Sequence, residues 1–260
     1  MLTASELDRV AYEIHTLGFS IVEDVIDVGL VSRLRKDLIE TIAVDQAKWK
    51  HRPQKSEDLI VNLAIYGGAF LDLLGSPVMH QIFERFLTPT CILYNYGSTF
   101  LLPGGKPASM NIHVDSPRVI PGYDDGLIMT LALDNFTNEN GATLYLPGSQ
   151  NLEKTPDAAT FERYATSVAR PAGAAVFFKP RCFHRASANT TSEIRCGVTV
   201  YAVRAFMKQR FDFPRMIPPE AVAALPAKTR KFLGFDARVP ADMAEYYVDA
   251  ADRLYKADQG

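Results

Sequence analysis

The chain has 260 residues, 47% of them hydrophobic and 22% charged, with a formal net charge of −2. That length supports a substantial core. No Lys/Arg run is interleaved with aromatics, as a nucleic-acid surface would need, and no apolar run nears the ~20 residues of a membrane span. The expected partner is therefore a small molecule, with no nucleic acid and no membrane. The opening MLTASELDRV lacks the basic-then-apolar pattern of a secretory signal. Cys91, Cys182 and Cys196 form no CxxC pair, so they read as small buried thiols in a reducing, cytoplasmic setting.

Taken in chain order, the first ~90 residues read as helical. Thr3 and Glu6 have the spacing of a capping box, and Leu7, Val10, Ala11 and Ile14 follow at helical intervals until Gly18. Phe19 to Val22 alternates like a short strand. Leu30, Leu34, Leu38 and Ile42 predict a helix from Leu30 to Trp49, with shorter helices at Ala69–Leu74 and Val78–Leu87. From Thr90 to Phe206 short β-rich runs take over: Cys91–Tyr96, Ser109–Val114, Leu127–Leu133, Thr143–Leu146, Ala174–Phe178 and Arg195–Tyr201. Pro103-Gly104-Gly105, Pro121-Gly122, Asn140-Gly141 and Pro147-Gly148 supply turns between them. After Phe206, Pro218–Ala224 and Ala241–Tyr255 read as helices. The expected architecture is a single domain over 1–260, mainly β with flanking helices. A β core at about 90–206 is wrapped by helical flanks at about 1–89 and 207–260, and a jelly-roll is one member of that class.

Asn111-Ile112-His113-Val114-Asp115 lies within the β-rich region. Strand geometry would point His113 and Asp115 to one face, and His184 lies on the far side of the same region. Two histidines and a carboxylate on one face of a metal leave open positions for a co-substrate and O2, which suits Fe(II). An HxD taken alone is more often chance than a site. His15, His51 and His80, without such partners, read as structural or solvent-facing. Arg195 strengthens the metal reading. It follows His184 by eleven residues and enters the apolar run Cys196 to Tyr201. A buried arginine needs an anion, because an unpaired buried charge is costly. An internal Asp or Glu would serve, but so would a dicarboxylate ligand gripped by the planar guanidinium.

Three stretches in order resemble the phytanoyl-CoA dioxygenase family of Fe(II)/2-oxoglutarate oxygenases. They are Ile112-His113-Val114-Asp115; Thr137 to Gln150, with Asn140-Gly141 and Pro147-Gly148-Ser149; and His184 through Asn189 to Arg195. The likeness runs from about Gly18 to Tyr201. It implies a double-stranded β-helix (jelly-roll, cupin-like) core, iron on His113, Asp115 and His184, and 2-oxoglutarate anchored by Arg195. Gln150 stands where the family has a histidine, Leu102 where it often has a lysine, and Ala186 where it often has a small hydroxyl residue. Thr143 is open to two readings, a hydrogen-bond donor to the distal carboxylate or a plain strand former.

The resemblance implies a hydroxylase of an unactivated C–H bond that consumes 2-oxoglutarate and O2 and releases succinate and CO2. Cyclisation, desaturation or epimerisation from the same chemistry is the alternative, as is a non-oxidative zinc or manganese enzyme on the same scaffold. Arg118, on the loop from Ser116 to Gly126, is a candidate for an acidic substrate or for a surface ion pair. Tyr94, Asn95, Tyr96 and Tyr201 are candidate cavity residues, against the usual reading of strand aromatics as core.

Overall fold

The computed structural model describes residues 1–51, 59–105 and 108–256. Its strands are β1 (Phe19–Val22), β2 (Ile92–Ser98), β3 (Gly126–Ala132), β4 (Leu144–Tyr145), β5 (Thr166–Ser167), β6 (Ala175–Phe178), β7 (His184–Arg185) and β8 (Gly197–Val203). They form a five-stranded sheet, β1-β6-β3-β8-β2, and a three-stranded sheet, β5-β4-β7, with every named pairing antiparallel.

The larger sheet is buried on both faces, which is why every position of β3 is buried and all but Thr130 are apolar or glycine. Leu127, Met129 and Leu131, with Val198, Val200 and Ala202, face the helices in the main core. Ile128, Tyr201, Val203 and Phe178 face the other way and pack with Tyr145 of the smaller sheet. The two-residue side-chain period therefore also sends Thr130 and Thr199, which are cross-strand partners, into the space between the sheets.

The helical layer follows the sequence closely. Helix α1 (Ala4–Leu17) opens with a reciprocal capping box, Glu6 N–H to Thr3 Oγ1 at 3.3 Å and Thr3 N–H to Glu6 Oε2 at 2.7 Å. It ends at Gly18, whose φ of 88° only glycine adopts cheaply. A Cβ there would lie 2.6 Å from Gln150 Oε1. Gln150 Nε2 in turn donates to the carbonyl of His15 at 2.9 Å, so this residue ties the end of α1 to the β core. Helix α2 (Val28–Lys48) starts two residues before the expected boundary because Asp27 caps it, accepting from Leu30 N–H at 3.0 Å. Two further helices, α3 (Ala69–Leu73) and α4 (Pro77–Phe86), lie at the expected places. The three cysteines are buried and free, as expected. No helix among the described residues is long and apolar enough to cross a membrane.

Two expected elements are different. Ser109–Val114 is not a strand: a 3-10 turn at Ala108–Met110 is followed by a single bridge, His113 to His184. The potential partner strand bends away at Pro180, whose carbonyl takes the N–H groups of both Asp115 (2.8 Å) and Ser116 (3.1 Å), so no longer ladder can form. The helix expected at Ala241–Tyr255 is one turn, Met243–Tyr246, with no buried residue. Without an apolar face to dock, propensity alone does not hold a helix of this length in water, and the chain instead runs on to a bridge between Tyr255 and Ala237.

Candidate active site

Between the two sheets lies a cavity of about 300 Å³. His113, Asp115 and His184 line it at one end, and Arg195, Phe136 and Thr143 are also in its wall. One ligand atom from each of His113, Asp115 and His184 can be chosen so that all three lie within 4.8 Å of one another. His113 Nε2 is 3.9 Å from Asp115 Oδ1, and His184 Nε2 is 3.6 Å from Asp115 Oδ2. Those separations are too long for hydrogen bonds. They match donors that share one ion, since ligands about 2.1 Å from a common centre lie about 3–4 Å apart.

The backbone prepares both imidazoles for that task. His113 Nδ1 meets the carbonyl of Asn111 at 2.8 Å, and His184 Nδ1 meets that of Cys182 at 3.0 Å. Each Nδ1 therefore holds the proton, and each Nε2 keeps its lone pair free toward Asp115, the orientation that ligating histidines are usually given. His184 is buried among Tyr145, Phe178 and His113 rings at centroid distances of 5.6, 5.1 and 4.3 Å. Burial holds its pKa below the ordinary imidazole value, against the nearby Asp115 charge, which favours the neutral, metal-binding form. Two imidazoles and one carboxylate with open space opposite fit a ferrous ion.

Arg195 is buried, and among the described residues it makes no ion pair with a carboxylate. Its Nη1 donates to the carbonyl of Gly141 at 3.1 Å and its Nη2 to that of Thr99 at 2.9 Å, while Nε has no partner. Among the described residues, then, no internal Asp or Glu plays the purely structural partner. Burial and the neighbouring Arg170 push its pKa down to about 10, which still leaves it charged at neutral pH. Thr99 Oγ1 and Asn95 Oδ1, both of cavity-lining residues, are likewise buried without partners. Unsatisfied buried polar atoms are uncommon in native proteins, and these three belong to residues of one cavity wall.

The Asn140-Gly141 turn explains how Arg195 is held. Gly141 has a φ of 91°, and a Cβ on it would lie 2.6 Å from Leu101 Cδ1 and 2.7 Å from the carbonyl of Ser187. Only glycine fits there. Asn189, fully buried, donates to the carbonyls of Leu101 (3.1 Å) and Glu193 (2.8 Å), and so ties the loop before Arg195 to the Leu101–Arg195 bridge.

The family model for phytanoyl-CoA dioxygenase (PhyH) matches residues 14–197. The chain belongs to this family. An uncharacterized relative of this PhyH-family protein in Mycobacterium tuberculosis, Rv1501, is 31% identical over 98% of this chain and 97% of its own length. Among solved structures, the PhyH fold seen here is similar to SnoN, a non-heme alpha ketoglutarate dependent epimerase from nogalamycin biosynthesis. The match has a TM-score of 0.62 and 20% identity, and covers 78% of this chain and 84% of that one. It is also similar to EctD from S. alaskensis, solved with 2-oxoglutarate and 5-hydroxyectoine, at a TM-score of 0.64 and 16% identity over 78% and 76% of the two chains.

Of the other residues singled out in the sequence, Thr143 and Asn95 line the PhyH-family cavity, whereas Tyr94, Tyr96, Tyr201 and Arg118 do not. Tyr96 points into the helical core. A bulge between Leu93 and Asn95 puts Leu93 and Tyr96 on the same face and turns Asn95 and Gly97 to the cavity instead. Tyr201 packs edge-on against Tyr94 at 4.8 Å and covers Gly126, which lines an adjacent cleft. Arg118 is exposed on that neighbouring cleft, about 150 Å³, with Lys179, Asp124 and Arg181. Sequence reasoning missed Thr99 and Arg170. Thr99 carries no motif, and Arg170 stands only as an arginine two residues beyond Val168, in a stretch without a β pattern.

Proposed function

We propose that this PhyH-family protein is an Fe(II)- and 2-oxoglutarate-dependent oxygenase of a single domain with a double-stranded β-helix core. It hydroxylates an unactivated C–H bond of a small molecule, with release of succinate and CO2. The observation that carries the proposal is a three-donor cluster and an arginine without a carboxylate partner in the walls of one cavity. Bound iron would supply the activation of O2 that no protein side chain provides.

In this reading His113, Asp115 and His184 would hold the metal at the cavity where the co-substrate binds. Arg195 Nε, the one guanidinium nitrogen without a partner, is the donor free for the distal carboxylate of 2-oxoglutarate, with Thr143 alongside it in the cavity wall. Tyr145, Phe136 and Phe178 wall the cavity with apolar surface that keeps water from the reacting atoms. Arg118 is a candidate for substrate contact at the neighbouring cleft, which reaches Ser116 beside Asp115.

The likeness to SnoN, described as an epimerase, supports epimerisation as a second outcome of the same chemistry. A zinc or manganese hydrolase leaves the unpartnered Arg195 without a role. The test is an aerobic incubation with candidate metabolite pools, following succinate and products that gain one oxygen atom. Release that requires Fe(II), 2-oxoglutarate and a substrate together supports the oxygenase. A product isomeric with its substrate supports the epimerase, and turnover with Zn(II) that ignores 2-oxoglutarate overturns both.

A further inference from the structure

Arg170 is as deeply buried as Arg195, each 4% exposed. Their guanidinium carbons lie over the same ring, Phe136, at 4.2 and 4.1 Å from its centroid. The two charges are thus within about 8 Å of each other, close enough for their repulsion to count in an interior of low effective dielectric. Among the described residues neither has an anion: Arg170 donates to the carbonyls of Val168 (3.1 Å) and Thr130 (3.3 Å), and its Nε has no partner. Burying one cation without a counter-ion is costly, and burying two side by side is more so. Phe136 and Thr130 both line the cavity, so Arg170 stands directly behind its wall.

We propose that Arg170 is a positioning residue whose charge, acting through the shared Phe136 ring, makes this part of the cavity a carboxylate site with two cations rather than one. The inference rests on the co-substrate reading of Arg195. It adds that affinity for a dicarboxylate depends on a residue that never touches it. Filling the site with an anion relieves the repulsion between the two arginines, and emptying it restores that repulsion. Succinate, which carries the same distal carboxylate, is held by the same pair.

The probe is 2-oxoglutarate titrated into the anaerobic Fe(II)-loaded protein, followed by visible absorption, with succinate titrated calorimetrically into metal-free protein as a second readout. Arg170→Gln keeps a hydrogen-bond donor and removes the charge, and Arg170→Met is a second uncharged replacement should the first not fold. Either is expected to weaken binding of both ligands about tenfold, the size of one unit charge several ångströms from a carboxylate, with Fe(II) affinity unchanged. Arg170→Lys keeps the charge and is expected to recover most of the loss. If the uncharged variants bind as the wild type does, or Lys is as weak as Gln, Arg170 is a packing residue and the inference is overturned while the co-substrate reading stands. If Arg195→Met also leaves both affinities unchanged, the co-substrate reading itself fails.

Discussion

His113 and His184 exchange backbone hydrogen bonds in both directions, His113 N–H to the carbonyl of His184 and His184 N–H to that of His113, each at 3.0 Å. Residues paired in this way across an antiparallel bridge sit directly opposite each other with side chains on one face, and their rings stand 4.3 Å apart between centroids. Two donors distant in the chain are thus brought together by a backbone bridge.

Donors placed by backbone hydrogen bonds predict that removing a ligand side chain costs metal and not fold. His113→Ala and Asp115→Ala should lose Fe(II) binding almost completely in anaerobic calorimetry. Both side chains are about a third exposed, so thermal unfolding of the metal-free variants should stay within about 1 kcal/mol of the wild type. A collapse of the fold in either variant would show that these residues are structural first.

Arg195→Ala should separate the two halves of the cavity. Fe(II) still binds, but the 2-oxoglutarate requirement rises by about 30-fold or more, the order expected for losing a charged hydrogen bond in a buried site. Saturation curves in 2-oxoglutarate at fixed Fe(II) measure it. An unchanged requirement would remove Arg195 from the co-substrate site.

Gly141 offers a test away from any charge. Gly141→Ala forces a side chain onto a left-handed backbone and against Leu101 and Ser187, and should cost about 1–3 kcal/mol of stability. Because the carbonyl of Gly141 accepts from Arg195, the same variant should also weaken 2-oxoglutarate binding while leaving Fe(II) affinity intact. Denaturant unfolding and co-substrate titration on the same sample check both parts.

The pH dependence of the metal-free protein follows from buried histidines. His80 is buried against the Leu74 carbonyl, 2.8 Å from Nε2, and burial holds its pKa below the ordinary value of 6.5. His184 is shifted the same way. A histidine with a depressed native pKa takes up its proton more readily when unfolded, so its stabilising contribution is present above 6.5 and lost as the pH falls through the native value. Melting temperature should therefore drop as the pH is lowered from about 7 to about 5, and His80→Gln should flatten that slope. A slope identical in the variant would mean that His80 takes no part.

Most of the fold was legible because its signals are local. The Thr3–Glu6 capping box, the Gly18 stop, the periodic leucines of α2 and the β runs around Leu127 and Ala174 each declare themselves within a few residues. The closeness of His113 and Asp115 was legible for the same reason, since His113-Val114-Asp115 is a contiguous motif, whereas His184 meets them only through its long-range bridge to His113. What the sequence hid depends on non-local events. The bulge in β2 that turns Tyr96 inward and Asn95 outward is set by pairing with β8. The failed strand at Ser109–Val114 is set by where Pro180 bends its partner away. Arg170 meets Arg195 only because two distant segments pack on Phe136. The overestimated C-terminal helix had helical spacing but no surface to dock against.

The most direct test of the account is anaerobic addition of 2-oxoglutarate to the Fe(II)-loaded protein, read by visible absorption. The account predicts a weak charge-transfer band that saturates with 2-oxoglutarate, is lost in His113→Ala, and needs far more 2-oxoglutarate in Arg195→Ala. A spectrum that does not change on addition, with iron demonstrably bound, would contradict it.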